Sequence, residues 1–288
     1  MENIDPTFEF EVINIKLQTN KTPEERYESY KSIILDLVKS QLHSAVGLNK
    51  HLIIYSATLK VSDTGIEYIY GRIGKGIYFD KENGSSIDIK KSSTESEIFD
   101  ITKIYNPDKA DYIFIPSAHR FCVKMGDKIS GNEVRKFLYV NIPFVMDTSD
   151  KIQVEIENEE KAIQEILTAL KIHKIDYIIS YTNDDTLGAA ASLFEKRLKK
   201  SQIGKINIKA EADHHDFMKF KGEEILEGGI ELAENNGNIN SAEITNSKGI
   251  RKTVTTKDKP KRIKIQCDYE IFRNVIVSTI MSLYRNNI

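Results

Sequence analysis

The chain has 288 residues, of which 40% are hydrophobic and 29% charged, and its formal net charge is −2. That length admits one large domain or two small ones, and that composition supports a packed core, which excludes wholesale disorder. A charge so near zero excludes a global attraction to nucleic acid or membrane, so binding of that kind needs a local patch.

No run approaches the roughly 20 apolar residues of a spanning helix, and residues 1–11 carry acids where a signal peptide carries basic residues. A cytoplasmic protein without membrane contact is the expectation. Cys122 and Cys267 lie far apart in apolar segments, as reduced core thiols would.

In chain order, alternation over 8–17 predicts a strand, and Thr22-Pro23-Glu24-Glu25 then supplies an N-cap, a first-turn proline and acids for a helix reaching about residue 43. Residues 51–61 and 66–70 form a hairpin pair around Ser62-Asp63-Thr64-Gly65. The glycine-rich segment 71–76 follows, and then a polar stretch over 80–109 with the composition of a mobile insertion. Strands at 112–115 and 120–125 flank Pro116-Ser117-Ala118-His119, and 132–140 has helical spacing. Beyond a strand at 151–156, helices over 159–173 and 186–200 alternate with strands at 177–180 and 206–212, a pattern of crossover units and a partly parallel sheet. A helix over 223–234, two strands around Asn246-Ser247-Lys248-Gly249, a strand at 262–266 and a helix over 269–284 complete the chain. The fold class is α/β (α+β). A ferredoxin-like half over 1–147, with an insertion at about 50–109, precedes a β-α-β-α-β half over 148–288 with a terminal hairpin and helix.

Three groups of residues could carry chemistry. Asp184 and Asp185 follow one strand of the second half, and Asp213 and His215 follow the next; carboxylates and imidazole at strand ends could hold Mg²⁺ or Mn²⁺ for phosphodiester hydrolysis. The competing reading makes Asp184 and Asp185 a helix cap and 213–216 a solvated loop. His119 and Arg120 pair an acid–base group with an anion grip, as metal-independent cleavage of RNA would need, or form an ordinary hairpin turn. Finally, Arg72 and Lys75 in the glycine-rich segment, with Lys248, Arg251, Lys252, Lys257, Lys259, Lys261, Arg262 and Lys264 near the end, form a candidate footprint for phosphates. An exposed strand edge charged against aggregation is the alternative for the second cluster.

Several segments carry a resemblance: Asn14-Ile15-Lys16, Ile69-Tyr70-Gly71-Arg72-Ile73, residues 114–121 (FIPSAHRF), Asn183-Asp184-Asp185, and Leu232-Ala233-Glu234-Asn235-Asn236-Gly237. Together with Gly249, Thr255 and Pro260 they are similar to a bacterial family of unknown function, number 4747 in that series. The resemblance implies a free-standing bacterial protein from a mobile or phage-defence neighbourhood and transfers no active site. The resulting expectation is an antiviral defence protein that binds nucleic acid, RNA ahead of DNA, through the basic hairpin. A metal-dependent nuclease and a non-catalytic subunit, docking on a protein partner or a second copy through its last helix, are the alternatives.

Overall fold

The computed structural model describes residues 5–81, 83–88, 93–126, 128–180, 189–213, 217–256 and 259–284. Strand β1 (Thr7–Gln18) leads to α1 (Pro23–Lys39), whose start is fixed by a capping box in which Thr22 and Glu25 satisfy each other's backbone N–H groups. The apolar stripe Tyr30, Ile33, Ile34 and Leu37 is buried, at about 1.5–3 kcal/mol for each large side chain. The helix stops at Lys39, and the residues expected to end it instead begin an edge strand, β2 (His43–Gly47).

Strands β3 (Lys50–Val61) and β4 (Glu67–Tyr78) are followed by the small hairpin β5 (Asn83–Asp88) and β6 (Ser93–Ile98), and then by β7 (Ile104–Ile115) and β8 (Arg120–Lys124). The stretch expected to be a mobile insertion is therefore partly a hairpin and partly the first half of β7. After α2 (Gly131–Asn141), capped by Ser130 and Glu133, comes β9 (Lys151–Ile156). The order β1, α1, β7, β8, α2, β9 keeps the β-α-β-β-α-β sequence of elements with β2–β6 interposed.

The second half contains α3 (Glu160–Leu167), β10 (Lys171–Ser180), α4 (Ala189–Lys200), β11 (Lys205–Glu211), a π turn at Glu224–Gly228, α5 (Gly229–Asn236), β12 (Gly237–Thr245), β13 (Arg251–Val254), β14 (Arg262–Gln266) and α6 (Phe272–Tyr284). Helix α3 is shorter than its expected span because Ile172, Ile175, Tyr177 and Ile179 belong to the period-two burial of β10. No described helix is long and apolar enough to cross a membrane.

The large sheet runs β14-β1-β8-β7-β4-β3-β2, with β9 also on β1, and the small one runs β11-β10-β12-β13. Every described strand pair is antiparallel, which corrects the expected partly parallel sheet. Hydrophobic periodicity separates helix from strand, but it carries no information on the direction in which a returning strand enters the sheet.

Strand β9 pairs with Ile13–Gln18 of β1, and β14 pairs with Thr7–Glu11 of the same strand. Between them the Val12 carbonyl accepts from Glu157 N at 3.0 Å, and Lys261 N donates to the Glu157 carbonyl at 2.7 Å. β9 and β14 are thus two halves of one edge strand, and residues 158–260 are a unit inserted into its middle. Both halves of the chain therefore contribute strands to the large sheet. The inserted unit has its own core, including Ile163, Ile166, Tyr177, Phe194, Leu232 and Ile244. Its two ends are held together by the Asn158–Pro260 bridge, and the Asn158 amide also donates to the carbonyls of Ala233 (3.1 Å) and Gly237 (2.7 Å).

One face of the large sheet is covered by α1 and α2 over a core that includes Ile13, Ile15, Ile69, Ile73, Phe114 and Phe121. On the other face α6 lies over Phe8, Phe10, Val12, Tyr68, Ile113 and Cys122. Gly71 sits where a Cβ would overlap the Ser56 carbonyl oxygen and the Tyr112 ring. Gly71→Ala should therefore cost about 1–3 kcal/mol through overpacking, read as a lower midpoint in urea unfolding.

Candidate nucleic-acid interface

Alternation along β4 divides its side chains between the two faces. Ile69, Ile73 and Lys75 point toward α1 and α2, while Tyr68, Tyr70 and Arg72 point to the α6 side. Lys75 is 8% exposed and paired with Glu133 of α2 at 3.0 Å, so it is not available to a phosphate. The glycine-rich segment 71–76 is strand, and Gly71 and Gly76 serve close packing there.

α6 leaves part of its face open. Registers Arg72↔Asp111 and Gly74↔Lys109 place these residues side by side across β4 and β7, and Lys124 follows on β8. Arg72, Lys109, Asp111 and Lys124, with Asp108 and Lys128, line a cleft of about 600 Å³. Four cations (Arg72, Lys109, Lys124, Lys128) thus face two carboxylates (Asp108, Asp111). The internal pairs are long for Asp111, 3.6 Å from Arg72 and 3.9 Å from Lys124, and shorter for Lys128–Asp108 at 3.0 Å.

Two partly exposed rings flank this row. Tyr55 of β3, 40% exposed, lies 3.4 Å from where a Cβ on Gly74 would stand. Tyr269, 51% exposed, lies under the Lys124 ammonium, which is 5.5 Å from its centroid. Sequence reasoning found Arg72 and missed Lys109, Lys124, Lys128 and both tyrosines. Lys109 and Lys124 share a face with Arg72 through strand pairing, and Lys128, before α2, joins them through its pair with Asp108; the alternation Tyr70, Arg72, Gly74 was a usable signal.

The basic stretch near the end of the chain is spread over two sheets. On the β12–β13 hairpin, Arg251 is bound to Glu243 at 2.6 Å and Lys252 to Glu165, while Lys248 is exposed in the turn. Arg262 and Lys264 on β14 pair with Glu9 at 2.9 and 3.3 Å, and Arg262 also reaches Glu11 at 3.2 Å. Lys259 is exposed, and Lys257 lies outside the described residues. Lys261 is drawn inward to Tyr284 and Glu157 at the root of the inserted unit.

That root encloses His119 and Arg120. Arg120 is 0% exposed; it donates to Glu157, to Asn14 Oδ1 (3.2 Å) and to the Ala118 carbonyl (2.8 Å), and its guanidinium lies over the Tyr284 ring at 4.2 Å. Tyr284 donates to the other oxygen of Glu157. Burial raises the Glu157 pKa, but Arg120, Lys261 and Tyr284 together outweigh it and hold the carboxylate ionised.

His119 has left-handed backbone (φ 42°), stacks on Tyr30 at 5.4 Å, and accepts at Nδ1 from Arg120 at 2.8 Å. Burial, with Arg120, Lys16 and Arg26, holds its pKa well below the ordinary histidine value. These groups are closed off from a substrate and pin β8, α6 and the inserted unit together. Asn14 and Lys16 carry the one sequence signal for this cluster, since both interrupt the apolar alternation of β1 and both are fully buried.

Since His119 binds fewer protons folded than unfolded, its contribution to stability is present above about pH 6.5 and is lost as pH falls below that value. Thermal melts from neutral pH down to about pH 5 should show a falling midpoint, with a shallower fall in His119→Asn, a residue that tolerates the left-handed backbone.

Of the expected metal ligands, Asp184, Asp185 and His215 lie outside the described residues, and Asp213 is exposed just beyond β11. Because β10 and β11 are antiparallel, Ser180 pairs with Lys205 while Glu211 pairs with Lys174. The two strand ends expected to share an edge are therefore at opposite ends of the pair, about 20 Å apart at 3.3 Å per residue. Among the described residues no three His, Cys, Asp or Glu side chains are grouped to hold a metal ion.

No match is found among curated proteins. A family model, by contrast, follows the chain from the first strand to the last helix, through the inserted unit as well as the large sheet, matching residues 6–282. The chain belongs to the family described as domain of unknown function DUF4747.

Proposed function

We propose that this protein binds single-stranded nucleic acid, with RNA as the first ligand to test, on the part of the large sheet that α6 leaves open. The observation that carries this reading is the cleft itself, where Arg72, Lys109, Lys124 and Lys128 outnumber Asp108 and Asp111. In a chain of net charge −2 this local excess is what a phosphate backbone would meet. Tyr55 and Tyr269 offer ring faces at either side of the row, and stacking of unpaired bases on such rings is tolerant of sequence. The reading moves the interface from the β12–β13 hairpin, where Arg251 and Lys252 are neutralised by carboxylates, to the sheet.

Titration of the full chain with labelled single-stranded RNA and DNA of mixed sequence, at two salt concentrations, tests it. Binding should weaken with salt at a log–log slope of about −0.7 per phosphate contacted. Absence of binding to either polymer at low salt would overturn the proposal.

A further inference from the structure

Beyond the cleft, the open face continues to the sheet edge, where registers Ile53↔Gly74, His51↔Gly76 and His43↔Ile53 carry it across β3 to β2. There the Nδ1 atoms of His43 and His51 stand 2.8 Å apart. The two rings have centroids 5.0 Å apart, and the Tyr78 ring packs against both, at 4.5 and 4.4 Å.

Two imidazolium ions would each present an N–H at Nδ1, so this geometry requires at least one neutral ring and a single proton between the two nitrogens. Burial and the neighbouring His43 lower the pKa of His51, with Asp80 acting in the opposite sense, so the neutral form is favoured. Converging imidazole nitrogens of this kind are ligands for a borderline divalent ion.

We propose that His43 and His51 form a binding site for a divalent transition ion of the zinc type, held through both Nδ1 atoms. Zinc–nitrogen bonds of about 2.0–2.1 Å at a tetrahedral angle put the two nitrogens about 3.3 Å apart, so the rings need part by only about half an ångström. Both residues are half-buried, and the β2–β3 pairing is irregular between Ala45 and Gly47, which leaves that movement to an edge strand. The ring that carried its proton at Nδ1 moves it to Nε2, so two neutral imidazoles accept the ion without net loss of a proton. No third His, Cys, Asp or Glu is grouped with them among the described residues. Two protein ligands and solvent therefore make the shell, with Asp80 contributing negative charge.

The test is calorimetric titration of the full chain with Zn²⁺ just above neutral pH, for wild type and for His43→Asn/His51→Asn, with imidazole ¹⁵N spectra of the wild type. Wild type should show a saturable step of one equivalent that is lost in the double variant, and the Nδ1 resonances of both residues should shift on binding. A step that survives the double variant would place zinc on other histidines, such as His173, His214 or His215, and overturn the assignment. Unshifted Nδ1 resonances in wild type would overturn it as well, and they decide the matter even if the double variant does not fold.

Discussion

Glu157→Ala is expected to lower the stability of the protein by about 3–5 kcal/mol, and Arg120→Ala by a similar amount. Glu157→Ala leaves the fully buried Arg120 guanidinium without its carboxylate partner, and Arg120→Ala leaves the buried Glu157 carboxylate with Lys261, at 3.6 Å, as its counter-charge. At roughly 2–4 °C per kcal/mol for chains of about this size, the melting temperature should fall by more than about 6 °C. Replacing both, as Arg120→Met/Glu157→Met, should cost much less than the sum of the single changes, because neither charge remains to be desolvated. The effect is larger than that of an ordinary surface ion pair because both side chains are fully buried, so solvent does not screen the charge left behind. Additive losses in a double-mutant cycle would show that the pair is not the joint holding the inserted unit.

Charge reversal in the cleft should have the next largest effect. Arg72→Glu and Lys124→Glu should each weaken nucleic-acid binding by about 1.5–3 kcal/mol at low salt, or about ten- to hundredfold, and each should flatten the salt dependence. Tyr55→Ala and Tyr269→Ala should cost about 1–3 kcal/mol of binding per base unstacked while leaving the salt slope unchanged. Lys248→Glu, in the exposed β12–β13 turn, should change binding little. Unchanged melting temperatures would show that the cleft variants act on binding, since Arg72 and Lys124 are only loosely paired with Asp111.

Much of the fold was legible because its signals are local. The Thr22 N-cap, the Pro23 and acids of the first turn of α1 and the alternation of β1 each occupy a few adjacent residues, and the structure has them where the sequence puts them. The larger arrangement was not legible. Residues 151–156 and 262–266 read as separate strands, and nothing in either says that they lie end to end on β1 with the inserted unit between them. The direction of β11 against β10 was hidden for the same reason; it places Ser180 and Glu211, where the two strands end, at opposite ends of the pair.

The candidate interface lies between these cases. Arg72 stood out beside glycines, whereas Lys109 and Lys124 joined it only through the β4–β7–β8 pairing, and Lys128 through its pair with Asp108. Lys75 and Lys261 show the reverse error, in which basic residues conspicuous in sequence are spent on buried partners. Glu157 was indistinguishable from neighbouring Glu155 and Glu159 until the fold enclosed it.

Hydrogen exchange of the full chain, with and without saturating single-stranded RNA, tests the central claim most directly, because it locates the bound strand as well as detecting it. The account predicts added protection in residues 72–76 of β4, 108–111 of β7, and Lys124 at the end of β8 with the residues that follow it, together with the segment around Tyr269. Protection confined to the β12–β13 hairpin, or none on the open face of the large sheet, would contradict it.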